Sequence, residues 1–188
     1  MTANTETNPD HRVETVEVFL NPLVIGDNVI RLSLGQAVAW RFSYEPGGVP
    51  SYARQRFSTE VRGRVEPVED AAGFGILWTE DAAVLLTFNS QGGADAALAG
   101  PFLPFPRWEG AWGIAPTTHC VVARLHSVIA EYKVDARGIQ VVDERTITIQ
   151  DIESFDEGYG LDLRQSGSQG VAVIADVQPI GVDRRFPG

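Results

Sequence analysis

Cysteine is all but missing from this chain: Cys120 is the single one in 188 residues, so no internal disulfide can form. Nothing here calls for an oxidising compartment, and a reducing cytoplasm is the expected setting. Histidine is scarce too, with three in the whole chain. No apolar run approaches the roughly 18 residues of a membrane span. The opening residues, Met1 to Arg12, are polar and carry no apolar segment of the kind a secretion signal needs. Basic residues are outnumbered, 15 Lys and Arg against 25 Asp and Glu, which gives a net charge of −10. Such a field repels nucleic-acid phosphates and anionic lipid, so neither is an expected partner. Two motifs are also missing, the G-x-S-x-G nucleophile elbow and the G-x-x-x-x-G-K-[ST] phosphate loop. No stretch keeps a helical period of 3.6 over three turns.

What is present reads as β-structure. The chain is 44% hydrophobic and 21% charged, ordinary for a soluble globular protein with a real core. Its 19 glycines and 11 prolines fall between short apolar runs, as a loop-rich β-fold requires. Val13–Leu20, Ala37–Phe42, Phe57–Val68, Phe74–Trp78, Ala83–Phe88, Thr118–Lys133, Ile139–Val142, Thr146–Ile152 and Val171–Val177 all read as strands. Asp135-Ala136-Arg137-Gly138 reads as a hairpin turn, with glycine where positive φ is needed. Gln91–Gly100 reads as a loop or as one short helix carried by Ala94–Ala99.

One phrase occurs twice, sixty residues apart. Ser58-Thr59-Glu60-Val61-Arg62-Gly63-Arg64-Val65-Glu66-Pro67-Val68 aligns without gaps on Thr118-His119-Cys120-Val121-Val122-Ala123-Arg124-Leu125-His126-Ser127-Val128. The expected fold is therefore mostly β, a small barrel or sandwich with at most one short helix. Duplication would make it two SH3-like or OB-like halves, 13–90 and 114–180, joined by an aromatic, Pro-rich loop at 91–113. Otherwise 13–180 is a single domain. Residues 1–12 read as a flexible lead and 181–188 as a tail.

Few residues offer chemistry. His119, Cys120 and His126 cluster in sequence, but alternation turns His119 away from Cys120. The same alternation puts His126 on the face of Cys120, about 20 Å along a straight strand. Neither a metal site nor a Cys-His nucleophile is expected from that spacing, and no cofactor is implied. The acidic stretches read as solvated loops. The segment Phe102–Trp112 sets four large aromatics among prolines and glycines, a costly set of rings to leave in water. Either those rings cap a barrel end, or Arg107, Trp108 and Trp112 form a recognition surface, since Trp and Arg dominate binding hot spots. Arg64 and Arg124 recur at equivalent places in the repeat. They could meet across a pseudo-twofold axis and clasp an anion, with His126 as a further polar group. Trp40 and Trp78 read as core.

Three stretches carry a resemblance: Leu34-Gly35-Gln36-Ala37-Val38-Ala39-Trp40, Val61-Arg62-Gly63-Arg64-Val65, and Ala123-Arg124-Leu125-His126-Ser127-Val128-Ile129-Ala130-Glu131-Tyr132. Together they resemble a family of small uncharacterised actinobacterial β-rich proteins. Its members carry a G-x-x-V-x-W opening strand, a V-x-G-x-V strand and an R-I-x-x-V-x-x-x-Y strand before a polar hairpin. The resemblance spans residues 16 to about 155, and the Trp- and Cys-rich opening of that group is missing here. It implies a bacterial lineage and no activity.

With no catalytic constellation in view, the expected role is that of a non-catalytic cytoplasmic interaction or accessory domain. It would bind another protein or itself, a homodimer included. Two other roles stay open. One is a small-molecule-binding or enzymatic barrel with a pocket near the aromatic loop. The other is an acidic inhibitor, akin to an immunity protein, steered to a basic surface.

Overall fold

The computed structural model describes residues 14–20, 31–45, 47–69, 71–87, 94–105, 113–155 and 169–184. Alternating sequence drives them into two sheets. In β5 (Glu60–Pro67), Val61, Gly63 and Val65 point inward, while Arg62, Arg64 and Glu66 face out. Sheet two contains it, in the order β4-β7-β6-β5-β8. Its other members are β4 (Ser43–Tyr44), β6 (Phe74–Trp78), β7 (Ala83–Thr87) and β8 (Asp95–Ala99). Pairing is antiparallel except between β4 and β7. Sheet one runs β1-β14-β9-β12, with β3 also on β9. These strands are β1 (Val16–Leu20), β3 (Ala37–Trp40), β9 (Thr118–Ala130), β12 (Thr148–Ile152) and β14 (Gln169–Val182). Two short ladders complete the set. β2 (Leu32–Ser33) pairs β13 (Ser154–Phe155), and β10 (Tyr132–Val134) pairs β11 (Gln140–Val142).

The sheets pack face to face. Val16, Val18, Leu20, Val122, Leu125 and Val173 meet Val61, Val65, Leu77, Val84 and Leu86 across one core. This is a mostly-β sandwich, as expected, and among the described residues it carries one short α-helix. That helix, α1 (Ser51–Arg56), covers the outside of sheet one, where Tyr52, Ala53 and Phe57 pack on Phe19, Val128 and Ile174. A third cluster lies outside sheet two, with Ala115 and Ile114 against Ile76, Ala83, Leu85 and Trp78. No helix among the described residues is long and apolar enough to cross a membrane.

The start of the aromatic segment laces the two sheets together. The Phe19 amide donates to the Phe102 carbonyl (2.8 Å), and the Phe102 amide to the Glu17 carbonyl (2.8 Å). One residue on, Leu103 exchanges two backbone hydrogen bonds with Ser43 of β4 (2.9 and 3.0 Å). Phe102 is fully buried in the central core. The first ring of the segment is thus a structural plug. Arg107, Trp108 and Trp112 lie outside the described residues.

Several expectations are corrected. Ala94–Ala99 supplies a strand, β8, and the helix lies at Ser51–Arg56. Both copies of the repeated phrase are strands, but their inward faces fall out of step. β9 bulges at Ala123, where Asp176 faces Arg124 and Val177 faces Val122. The extra residue leaves Ala123 and Arg124 both exposed and reverses the alternation beyond them. Cys120 consequently points into the central core while His126 points outward, so the two do not share a face. Residues 13–90 contribute to both sheets, since β1 and β3 pair with β14 and β9, so that span is not a barrel of its own.

Candidate binding groove

β5 and β6 sit side by side with Arg64 opposite Trp78 and Glu66 opposite Ile76. The approach is close because residue 63 is glycine. A Cβ there would lie 2.1 Å from the Trp78 carbonyl oxygen. Trp78 is then fixed by the turn that follows it. The Thr79 hydroxyl accepts from the Ala82 amide (2.8 Å), and the Thr79 amide donates to the Ala82 carbonyl (2.9 Å). Outside this pair of strands opens a groove of about 890 Å³. Ile76, Trp78 and Ile114 give it an apolar wall, and Arg64, Glu66, Glu69, Glu80 and Arg184 line it with charge. The Arg184 guanidinium lies 5.9 Å from the centre of a Trp78 ring, a cation–π contact. The side chains of Arg64, Glu66, Glu69 and Glu80 are exposed and hold no hydrogen bond or ion pair among the described residues. A half-buried indole is thus flanked by charges of both signs that are free to meet a ligand.

Arg124 and His126 sit elsewhere, on the outer face of sheet one. His126 Nδ1 is 2.7 Å from Asp151 Oδ1, and its Nε2 is 3.4 Å from Asp176 Oδ2. Arg124 Nε lies 3.3 Å from the same Asp176 oxygen. The Phe57 ring packs on the imidazole at 5.7 Å between centroids. His126 thus sits between Asp151 of β12 and Asp176 of β14. No Ser, Thr or Cys side chain is hydrogen-bonded to His126 among the described residues, so the cluster lacks a nucleophile. Arg64 and Arg124 project from opposite outer faces of the sandwich and cannot clasp one anion. Their recurrence in the repeat gave the reading, and assignment to different sheets removes it.

Cys120 and His119 offer no further site. Cys120 is buried, and loss of solvation together with the nearby Asp81 charge pushes its thiol up to about 12. Such a thiol is no nucleophile at neutral pH. His119 faces solvent, 3.2 Å from Asp183. No group of three His, Cys, Asp or Glu among the described residues is placed to hold a metal ion.

Trp40 is core, as expected, but Trp78 is the groove's half-buried wall. Phe74-Gly75-Ile76-Leu77-Trp78 is so evenly apolar that no alternation marks its outer face. The signal that could have flagged Trp78 was its pairing with Arg64, and a register is not written in either strand alone. Arg184, read as tail, reaches the same wall. The chain matches no family model, no curated protein and no solved structure.

Proposed function

We propose that this protein is a non-catalytic, cytoplasmic binding module that seats a segment of another protein in the groove outside β5 and β6. The observation that carries the reading is Arg64, without an ion pair among the described residues, beside half-buried Trp78 in an open groove of about 890 Å³. Trp and Arg in one concavity are the composition of an interaction hot spot. The ligand this lining suits is an extended peptide. An aromatic or branched side chain would rest on Trp78 and Ile114, an acidic residue would meet Arg64, and a basic one would meet Glu66, Glu69 or Glu80. The actinobacterial kinship belongs to the same proposal and adds no activity. The volume also lies within the ~300–1,000 Å³ range of small-molecule pockets, which supports a second reading, a compact aromatic anion in the same place.

Peptides selected on the immobilised protein from a random display library test the first reading. Their affinity would be measured by fluorescence anisotropy. Arg64→Ala and Trp78→Ala should each weaken the selected peptides about tenfold or more, the loss typical of a hot-spot truncation. Arg124→Ala, on the far face, should bind as the wild type does. Peptides that ignore both groove substitutions would refute the assignment. Selection of no peptide, together with saturable binding of a naphthalene sulfonate that Arg64→Ala abolishes, would favour the small-molecule reading.

A further inference from the structure

Among the described residues, β8 is a sheet edge with nothing paired to its outer side. Natural edge strands are usually blunted by lysine, proline, a bulge or a covering segment, because a free row of backbone groups templates pairing. The edges at β1 and β4 are covered, by Phe102 and Leu103 respectively. β8 reads Asp95-Ala96-Ala97-Leu98-Ala99, with one charge, no proline and an unbroken register against β5 from Glu60↔Ala99 to Arg64↔Asp95. Among the described residues nothing pairs with its other side. Asp95, Ala97 and Ala99 are exposed, Ala96 and Leu98 are half-buried, and three of the five side chains are a single methyl. The hairpin strand β10 differs, because its middle residue is Lys133, and a twofold pairing there would set lysine against lysine.

We propose that β8 pairs antiparallel with β8 of a second copy, about a twofold axis through Ala97. An antiparallel pair must match outward with outward residues, so the axis passes through a residue and not between two. Centring on Leu98 would set Asp95 against Pro101, which has no amide to donate. Centring on Ala97 uses all five residues. Asp95 then faces the second copy's Ala99, Ala96 faces its Leu98, and no charge meets its like. On the inner side, Ala96 and Leu98, both half-buried, would complete each other's cover over the central core. The two five-stranded sheets become one sheet of ten strands. The axis is perpendicular to that sheet, so both grooves open on the same side, with Arg64 one strand in from the junction. A ligand bearing two segments would then bind by avidity. The pairing does not depend on what the groove binds, and either can fail without the other.

Sedimentation of the full chain over a dilution series tests the pairing. The wild type should show twice the chain mass, dissociating on dilution. Ala97→Lys, which places two lysines face to face on the axis, should sediment as a monomer with unchanged circular dichroism. A pair of cysteine variants tests the register. Residues paired on the axis have Cα atoms about 4.5–5.5 Å apart, within disulfide reach. Residue 99 lies about 13 Å from its own mate. Mild oxidation should therefore cross-link Ala97→Cys at least tenfold faster than Ala99→Cys. A wild type that stays monomeric at its highest attainable concentration would overturn the proposal. So would a dimeric Ala97→Lys, or equal cross-linking of the two cysteine variants.

Discussion

Gly63 is the residue on which the groove's geometry turns. A methyl at that position would meet the Trp78 carbonyl at 2.1 Å and its carbon at 2.9 Å. Backbone cannot swing aside as a side chain does, so β5 and β6 would have to part. Gly63→Ala should cost about 1–3 kcal/mol or more by chemical denaturation, the range for overpacking a tight interior. It should also disturb the Arg64–Trp78 pair. A cost below about 0.5 kcal/mol, the level of an ordinary surface change, would contradict the close approach. Cys120 and Tyr52 make a second residue-scale case. Burial pushes the Tyr52 hydroxyl up to about 12, helped by Tyr132 and Glu144, and the Cys120 thiol also rises to about 12. Both groups are raised in the folded state, so their contribution is whole below the unfolded values of 10.0 and 9.0 and is lost as pH climbs towards 12. Stability should thus fall between about pH 9 and pH 12. Tyr52→Phe should flatten the part above pH 10. An identical slope in wild type and variant would show that Tyr52 titrates as freely folded as unfolded.

Elements differ in how openly they announce themselves. The β10–β11 hairpin was legible because its turn is written in four residues. Gly138 adopts φ +77°, and Asp135 accepts from the amides of Arg137 (2.8 Å) and Ile139 (3.0 Å). Those amide bonds, Ile139 foremost, hold the Asp135 carboxyl below its ordinary value, and Lys133 does the same for Asp143. Both are lowered on folding. Their stabilisation is present above the unfolded value of 3.8 and fades as pH falls through the lower folded values. Amide exchange at Ile139 should accelerate there ahead of exchange at Val173 in the core of sheet one, and Asp135→Asn should show the acceleration already at neutral pH. Simultaneous loss of protection at both amides would mean that the hairpin has no local transition. β8 was illegible for the opposite reason. Alanine favours helix, and only pairing with β5 makes Asp95–Ala99 extended. α1 was missed because six residues are too few to show a period. It forms after Pro50, with Arg54 and Arg56 in the last turn and Tyr52 and Ala53 packed on sheet one.

At the scale of the molecule, strand alternation was enough to foresee a mostly-β fold, a barrel or a sandwich, but not its assembly. Which strands share a sheet depends on long-range pairing. β3 joins β9 some eighty residues later, and β1 joins β14 further still. The aromatic segment at Phe102 and Leu103 proved to be the seam between the sheets. One inserted residue at Ala123 was enough to send His126 and Cys120 to opposite faces. Of the candidate residues among those described, Arg64 stands in the groove, while Arg124 and His126 meet Asp151 and Asp176 on the outer face of sheet one. Two outer surfaces therefore compete for the role of recognition site, and one measurement separates them. Backbone amide shifts of the labelled protein would be followed by NMR during titration with a display-selected peptide. The account predicts perturbations confined to 64–69, 76–80, 113–114 and 184, lost in Trp78→Ala. Perturbations centred instead on Arg124, His126 and Asp176 would contradict it.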